Sequence, residues 1–364
     1  MKILVISNMY PSKKYPFYGT FVKNFCMQLG EMGINYELSV MTKGKNKWSK
    51  MINYILFYSK TFIKVLCKKY DIIYIHYASH SSWSVLAASK IKNNLKIYTN
   101  VHGSDVVPEN KKQEKFQKYT QLILNKSEKV VVPSQYFKKY VIEKYKIDQD
   151  NISIYPSGGV DQNVFYKIDK KELDEFCKEY ELEQDKKYIG FISRISQGKG
   201  WDTYCYSMKA IVKKYENIRG IIVGSGLEDN ELNQLLETLE LKEYIKVIPS
   251  LPQDKLNQAY NIIECLVFPS RRKGESLGLI PLEVMCVGTP VIVSDFAAPG
   301  EYIVDKINGL KFKVNDSEDL SKKIEEFLQM DILEKDKIIE NARKTAEKYY
   351  VKNTKNILEG ILNI

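Results

Sequence analysis

The chain repeats one pattern along most of its length: a short apolar run, a turn, then a longer stretch with apolar positions three and four residues apart. Short continuous apolar runs bounded by turn residues mark strands buried on both faces. Such strands form parallel sheets whose crossover helices cover both sides. In the first half the strand candidates are KILVIS (2–7), YELSVM (36–41), DIIYIHYA (71–78), KIYTNVH (96–102), KVVVPS (129–134) and ISIYPSG (152–158). Helical patterns fall at 20–32, 81–92 and 135–146. In the second half the strand candidates are KYIGFIS (187–193), RGIIVGSG (219–226), IKVIPS (245–250), CLVFPS (265–270), TPVIVSD (289–295) and GLKFKV (309–314). Helices are expected there at 203–215, 229–239, 254–261, 279–287 and 317–329.

With 364 residues the chain exceeds what one hydrophobic core supports. The pattern therefore predicts an α/β fold of two lobes. A Pro, two Gly and an Asp around 156–170, ahead of a charged helix, place the boundary near residue 163. The expected domains are 1–163 and 164–335. Charged residues make up 27% and hydrophobic ones 44%, which excludes global disorder. The cysteines (26, 67, 177, 205, 265, 286) show no C-x-x-C pair and no metal-ligand spacing, and read as free thiols in a reducing compartment. MKILVIS runs straight into a strand pattern and no apolar run is long enough to span a bilayer, so a cytoplasmic location is expected.

Residues 268–295 carry the clearest chemistry. The segment FPSRRKGESLGLIPLEVMCVGTPVIVSD puts Glu275 in a Gly-flanked loop and starts a helix near Leu279. Glu283 lies on that helix, seven residues separating the two carboxylates. The loop Gly274-Glu275-Ser276-Leu277-Gly278 leaves the first helical N–H groups unpaired, and these with the helix dipole suit a diphosphate. A carboxylate on either side of that point can grip hydroxyls at both ends of a sugar nucleotide. An isolated pair of this kind is more often two solvated glutamates. Glu283, however, sits in an apolar helix, where a charge needs a partner.

Other candidates lie at strand ends, where open α/β sheets bind ligands. Arg194 and Lys199 follow the 187–193 strand and could absorb charge on a leaving diphosphate without a metal. On their own they would read as surface cations. His102, in NVHGSD, closes the fourth strand, and a core or capping role is the commoner fate of a lone His. His76 follows an apolar strand and reads as structural. Gly19, in FYGTF, allows close backbone approach at a helix start. Gly224 opens a Gly-Ser-Gly turn that does not complete a dinucleotide fingerprint, since Asp229 stands where the last Gly belongs. The one D-x-D, at 148–150, reads as a polar turn, and no metal or other cofactor is expected.

These segments together resemble the E-x7-E family 4 retaining glycosyltransferases of the GT-B type. The resemblance rests on KILVISNMYPSKKYPFYGTF, HGSD at 102–105, YPSGGVDQNVF at 155–165, FISRISQGKGWDT at 191–203, IVGSGLEDNEL at 222–232 and the Glu275/Glu283 pair. It implies two facing Rossmann-like domains with a cleft between them. It further implies that a final helix, roughly 336–362 within a segment 336–364, packs back on the first domain. Glu275 would bond donor-sugar hydroxyls and Glu283 the ribose. Arg194 and Lys199 would hold the diphosphate, and His102 would position the sugar. Gly19, Ser276, Leu277, Gly278 and Gly224 would line the donor site, with Asp105 on the acceptor side. One Gly at position 19, where the family often has two in a row, leaves that loop's shape open. Anomeric configuration would be retained, by front-side attack.

Charge is unevenly placed. Residues 1–165 hold 25 lysines and no arginine against 11 acidic residues, a net +14, whereas the remainder is −4. In KGKNKWSKMINYILFYSKTFIKVLCKK (43–69) a helix from about Trp48 would bring Trp48, Met51, Ile55, Tyr58, Phe62 and Leu66 near one face among lysines. That is either a core helix with a solvated edge or a segment resting on anionic lipid headgroups. The absence of arginine argues against nucleic acid. With this charge split, the resemblance implies a metal-independent hexosyltransferase at the inner face of the cell membrane. Its expected donor is a nucleotide sugar, UDP-linked, and its expected acceptor a lipid-linked or growing surface glycan. The alternatives are a non-catalytic or nucleic-acid-binding α/β protein on the same scaffold, or an epimerase or phosphorylase of that fold.

Overall fold

The computed structural model describes residues 1–15, 18–44 and 46–364. Pro16 and Phe17 of the loop before Gly19, and Lys45 of the basic segment, lie outside the described residues. The chain divides into two compact units, Met1–Gly158 with Thr354–Ile364, and Gly159–Asn353. The division falls after Gly158 rather than after residue 163.

The first unit holds six parallel strands: β1 (Lys2–Tyr10), β2 (Asn35–Thr42), β3 (Ile72–His76), β4 (Ile97–Asn100), β5 (Lys129–Val132) and β6 (Ile152–Ile154). Their order is β2-β1-β3-β4-β5-β6. Alternate side chains of β1 enter different cores, Ile3 and Val5 on one face, Leu4 and Ile6 on the other. A sheet covered on both faces is why its strands read as unbroken apolar runs. The second unit repeats the design with β7 (Lys187–Ile192), β8 (Ile218–Val223), β9 (Ile245–Ile248), β10 (Ile263–Phe268), β11 (Val291–Ser294) and β12 (Leu310–Phe312). Here the order is β12-β11-β10-β7-β8-β9, so the chain reverses its winding between β7 and β10. That reversal opens a crevice at the carboxyl ends of these two strands.

Two helices differ from expectation. The pattern at 81–92 forms two short helices, Ala78–Ser81 and Trp83–Ala88. The first begins early because Asp105 Oδ2 accepts the Ala78 N–H at 2.9 Å. The expected single C-terminal helix is two, Ile332–Glu347 and Val351–Leu362. Val160 pairs with the chain at the break, its N–H bonding the Tyr349 carbonyl and its own carbonyl accepting from Val351. Ala342 and Ala346 of the earlier helix join the second unit's core, whereas Leu358, Ile361 and Leu362 join the first unit's. No helix among the described residues is long and apolar enough to cross a membrane.

Candidate active site

Two loops meet at the β7/β10 switch point, 193–200 and 269–278. Glycine lets them meet. Gly200 has φ +81°, and a Cβ there would lie 2.0 Å from the Pro269 carbonyl oxygen. The Gly198 carbonyl accepts the Arg271 N–H at 2.8 Å. Arg271 then grips both carboxylate oxygens of Asp202, at 3.0 and 2.8 Å, locking the loop to the start of the Trp201–Lys214 helix. This fork is the geometry for which guanidinium is suited.

With the loops clamped, Lys199 Nζ reaches Glu275 Oε2 at 2.6 Å. Ser270 Oγ donates to the same oxygen at 3.0 Å. Burial pushes the Glu275 carboxyl up, but Lys199, Arg272 and Ser270 more than offset it and leave it below the usual range. Lys199 also lies 5.6 Å from the centre of the Phe268 ring. Arg194, by contrast, is exposed just beyond β7, and its backbone runs beside Gly224. A Cβ at Gly224 would sit 1.9 Å from the Ser193 carbonyl oxygen, so only glycine fits there.

The Leu279–Val287 helix starts at Gly278, φ +73°, with no side chain capping it and no acidic residue in its first turn. The helix at Gly200 and the Thr20–Glu31 helix at Gly19 begin the same way, each from a left-handed glycine with no side-chain cap. Uncapped starts leave amide hydrogens available to a ligand. Ser276 and Leu277 fill the turn before Gly278, Leu277 being buried. Gly19 packs its α-carbon against the Met9–Tyr10 backbone, where a Cβ would lie 2.7 Å from Met9 C.

Glu283 accepts the Tyr260 hydroxyl at 2.7 Å. Burial pushes its carboxyl up to about 7, the Tyr260 bond pulling weakly the other way. Tyr302 donates to the Gly278 carbonyl at 2.8 Å. Its hydroxyl is raised well above its ordinary value, by burial first and then by Tyr349, Glu275 and Glu283. Tyr302 therefore lies within electrostatic reach of both carboxylates. Sequence reasoning had not singled out Tyr260, Ser270, Arg271, Arg272 or Tyr302. Only Ser270, Arg271 and Arg272 lay inside a segment already of interest.

In the first unit His102 Nε2 lies 3.0 Å from His76 Nδ1. Burial lowers His102 to about 3 and, with His102 beside it, holds His76 well below the ordinary value. His76 is thus the direct partner of the ring the sequence singled out. Its other nitrogen is buried without a hydrogen-bond partner among the described residues. Asp105 was expected to face an acceptor, but it is fully buried. Its oxygens accept the N–H groups of Ala78 (2.9 Å), His102 (3.0 Å) and Gly103 (2.8 Å). That carboxylate braces the loop that presents His102. The D-x-D is a local turn, Asp148 capping Asp150 N–H at 3.0 Å.

The family model described as Glycosyl transferases group 1 matches residues 173–345, and the one described as Glycosyltransferase Family 4 matches residues 24–161. A D-inositol 3-phosphate glycosyltransferase of Segniliparus rotundus is 24% identical over 52% of this chain and 41% of its own length. The capsular polysaccharide biosynthesis glycosyltransferase CapM of Staphylococcus aureus is 24% identical over 60% of this chain and 56% of its own. The matched regions thus span about half of these relatives. Among solved structures, the Anabaena protein HepE in complex with UDP superimposes with a TM-score of 0.79 at 17% identity, over 100% of both chains. With two Rossmann-like sheets and both family matches in place, the chain belongs to the group 1, family 4-type glycosyltransferases of the GT-B fold.

Proposed function

We propose that the protein is a retaining glycosyltransferase that moves a hexosyl unit from a UDP-sugar to a lipid-linked or growing surface polysaccharide at the inner face of the cell membrane. The Lys199–Glu275 pair beside the uncapped Leu279–Val287 helix carries this reading. A cation, open amides and a carboxylate there match, in order, a diphosphate and the hydroxyls of the sugar attached to it. UDP in the HepE complex supports the nucleotide, and the capsular role in the name of CapM supports a surface glycan.

In the proposed reaction an acceptor oxygen bonds to the sugar's anomeric carbon as the bond from that carbon to the β-phosphate oxygen breaks. The electron pair passes to the phosphate, which takes the acceptor's proton. Lys199, Arg194 and the amides at Leu279 and Ile280 stabilise the charge that develops, work for which no metal is required. One such donor is typically worth ~3 kcal/mol in the transition state. Glu275 orients the sugar hydroxyls and Glu283 holds the ribose. Ser276, Leu277, Gly278 and Gly224 border the nucleotide.

Thermal melting with UDP, GDP and ADP tests the donor site. Bound nucleotide at a hundred times its Kd should stabilise the fold by about 2.7 kcal/mol. UDP is expected to raise Tm most. A larger shift with another nucleotide would reassign the donor, and no shift with any would refute the site.

A further inference from the structure

The Lys47–Cys67 helix keeps Phe57, Thr61 and Val65 buried against the first unit's core, with Tyr58, Phe62 and Leu66 packed beside them. The outward side is unusual. Trp48, Met51, Ile52, Ile55, Leu56 and Ile63 are each 48–73% exposed. At 3.6 residues per turn they cover about 140° of the helix circumference. The apolar stripe expected from the sequence is therefore two faces, one spent on the core and one left in solvent.

The helix contains no acidic residue. Lys47, Lys50 and Lys60 are exposed along it, whereas Lys64 is held by Glu37 at 3.3 Å. Lys47 and Lys60 flank this ridge, each about 40° beyond one of its edges, and exposed apolar groups bordered by cations suit one environment: the boundary between anionic headgroups and acyl chains. A soluble polyanion would satisfy the lysines and leave the apolar side chains in water. A second copy of the chain would cover the apolar groups but set lysines against lysines.

We infer that this face is a membrane-docking surface, the helix lying in the plane of an anionic bilayer with the ridge from Trp48 to Ile63 sunk into it. This deepens the reading of a lipid-linked acceptor and rests on it for its biological sense, although the surface is tested without any transfer reaction. The full chain would be floated with vesicles of phosphatidylcholine, alone or with about 30% phosphatidylglycerol. Wild type should bind the anionic vesicles, more weakly as salt rises. I52E/L56E, which changes exposed positions only, should lose on the order of a hundredfold in affinity. K47Q/K60Q should lose roughly tenfold or more and flatten the salt dependence.

Wild-type indifference to phosphatidylglycerol would overturn the proposal, as would undiminished binding by I52E/L56E. A dimer dissolved by I52E/L56E, with no vesicle binding, would give the face to a second copy. UDP-induced melting shifts, measured without vesicles in the same proteins, read the donor site separately. Vesicle binding without any nucleotide response would leave this surface standing and remove the transferase reading.

Discussion

Lys199 Nζ and Glu275 Oε2 lie 2.6 Å apart, with only 12% and 13% of their side chains exposed. The two groups proposed to hold opposite ends of a donor's sugar-phosphate linkage are thus bonded to each other. Both are largely desolvated, so each is the counter-charge that makes burial of the other tolerable. On the proposed reading, an entering donor would exchange this bond for phosphate on the lysine and hydroxyls on the glutamate, so that neither charge is left bare.

Removing one partner should therefore affect fold and chemistry separately. Lys199→Met is expected to destabilise by about 3 kcal/mol, because buried Glu275 loses the cation bonded directly to it. K199M/E275M should recover most of that loss. Transfer should fall on the order of a hundredfold or more in both, since the charge-stabilising donor is absent in each. Urea unfolding beside initial rates checks this. Activity returning with stability in the double variant would show that the pair is only structural.

The Glu283 carboxyl titrates at about 7. Ribose hydroxyls donate hydrogen bonds best to its ionised form, so nucleotide affinity should rise as pH climbs through 7 and level off above. Stability should run the opposite way. A carboxyl raised in the fold binds protons that the unfolded chain has released, so its contribution is lost as pH rises from the usual carboxylate range to about 7. His102, held near 3, stays neutral throughout and adds no limb between pH 5 and 8. Calorimetric titration with uridine, which carries the ribose and no titrating phosphate, at several pH values and repeated with Glu283→Gln, should show the dependence vanish. A limb that persists in the variant would assign it elsewhere.

Much of this arrangement was legible before any coordinates. Strands buried on both faces leave unbroken apolar runs, and the helices at 279–287 and 317–329 fell where periodicity put them. The break near Tyr350 was not legible, because it depends on pairing with Val160, nearly two hundred residues away in sequence. On the Lys47–Cys67 helix, apolar residues run all round, so periodicity could not tell the core face of Phe57 and Val65 from the exposed ridge of Ile52 and Leu56. The burial of Asp105 was not legible for another reason: a loop carboxylate that braces amides has the same sequence signature as one that meets a ligand. His76 was read as structural, and only the fold revealed His102 as its partner.

The glycine at position 200 gives a sharper test of how the loops are held. A Cβ there would meet the Pro269 oxygen at 2.0 Å, in a backbone conformation that L-residues rarely adopt. Gly200→Ala should cost more than ~2 kcal/mol and force the 269–278 loop away from Lys199. Gly30→Ala is the control, since nothing lies within 4 Å of a Cβ at that helical site. It should be neutral or stabilising by up to ~1 kcal/mol. Differential scanning calorimetry of both variants checks the contrast, and equal effects would mean that the loop contact yields easily.

Asp105 offers the last test, because its isostere changes hydrogen bonding without changing shape. Its two oxygens serve three backbone N–H groups, and a carboxamide supplies one accepting oxygen where there were two. In Asp105→Asn the amide nitrogen must therefore face at least one N–H, a donor set against a donor. The loss should be about 2 kcal/mol in stability, that of a buried group left unpaired. If Asp105 acts only by bracing the loop, turnover should fall through looser placement of His102, with the KM for acceptor nearly unchanged. A rise in acceptor KM alone, at unaltered stability, would restore Asp105 to direct contact with the acceptor and show that the buried arrangement opens on binding.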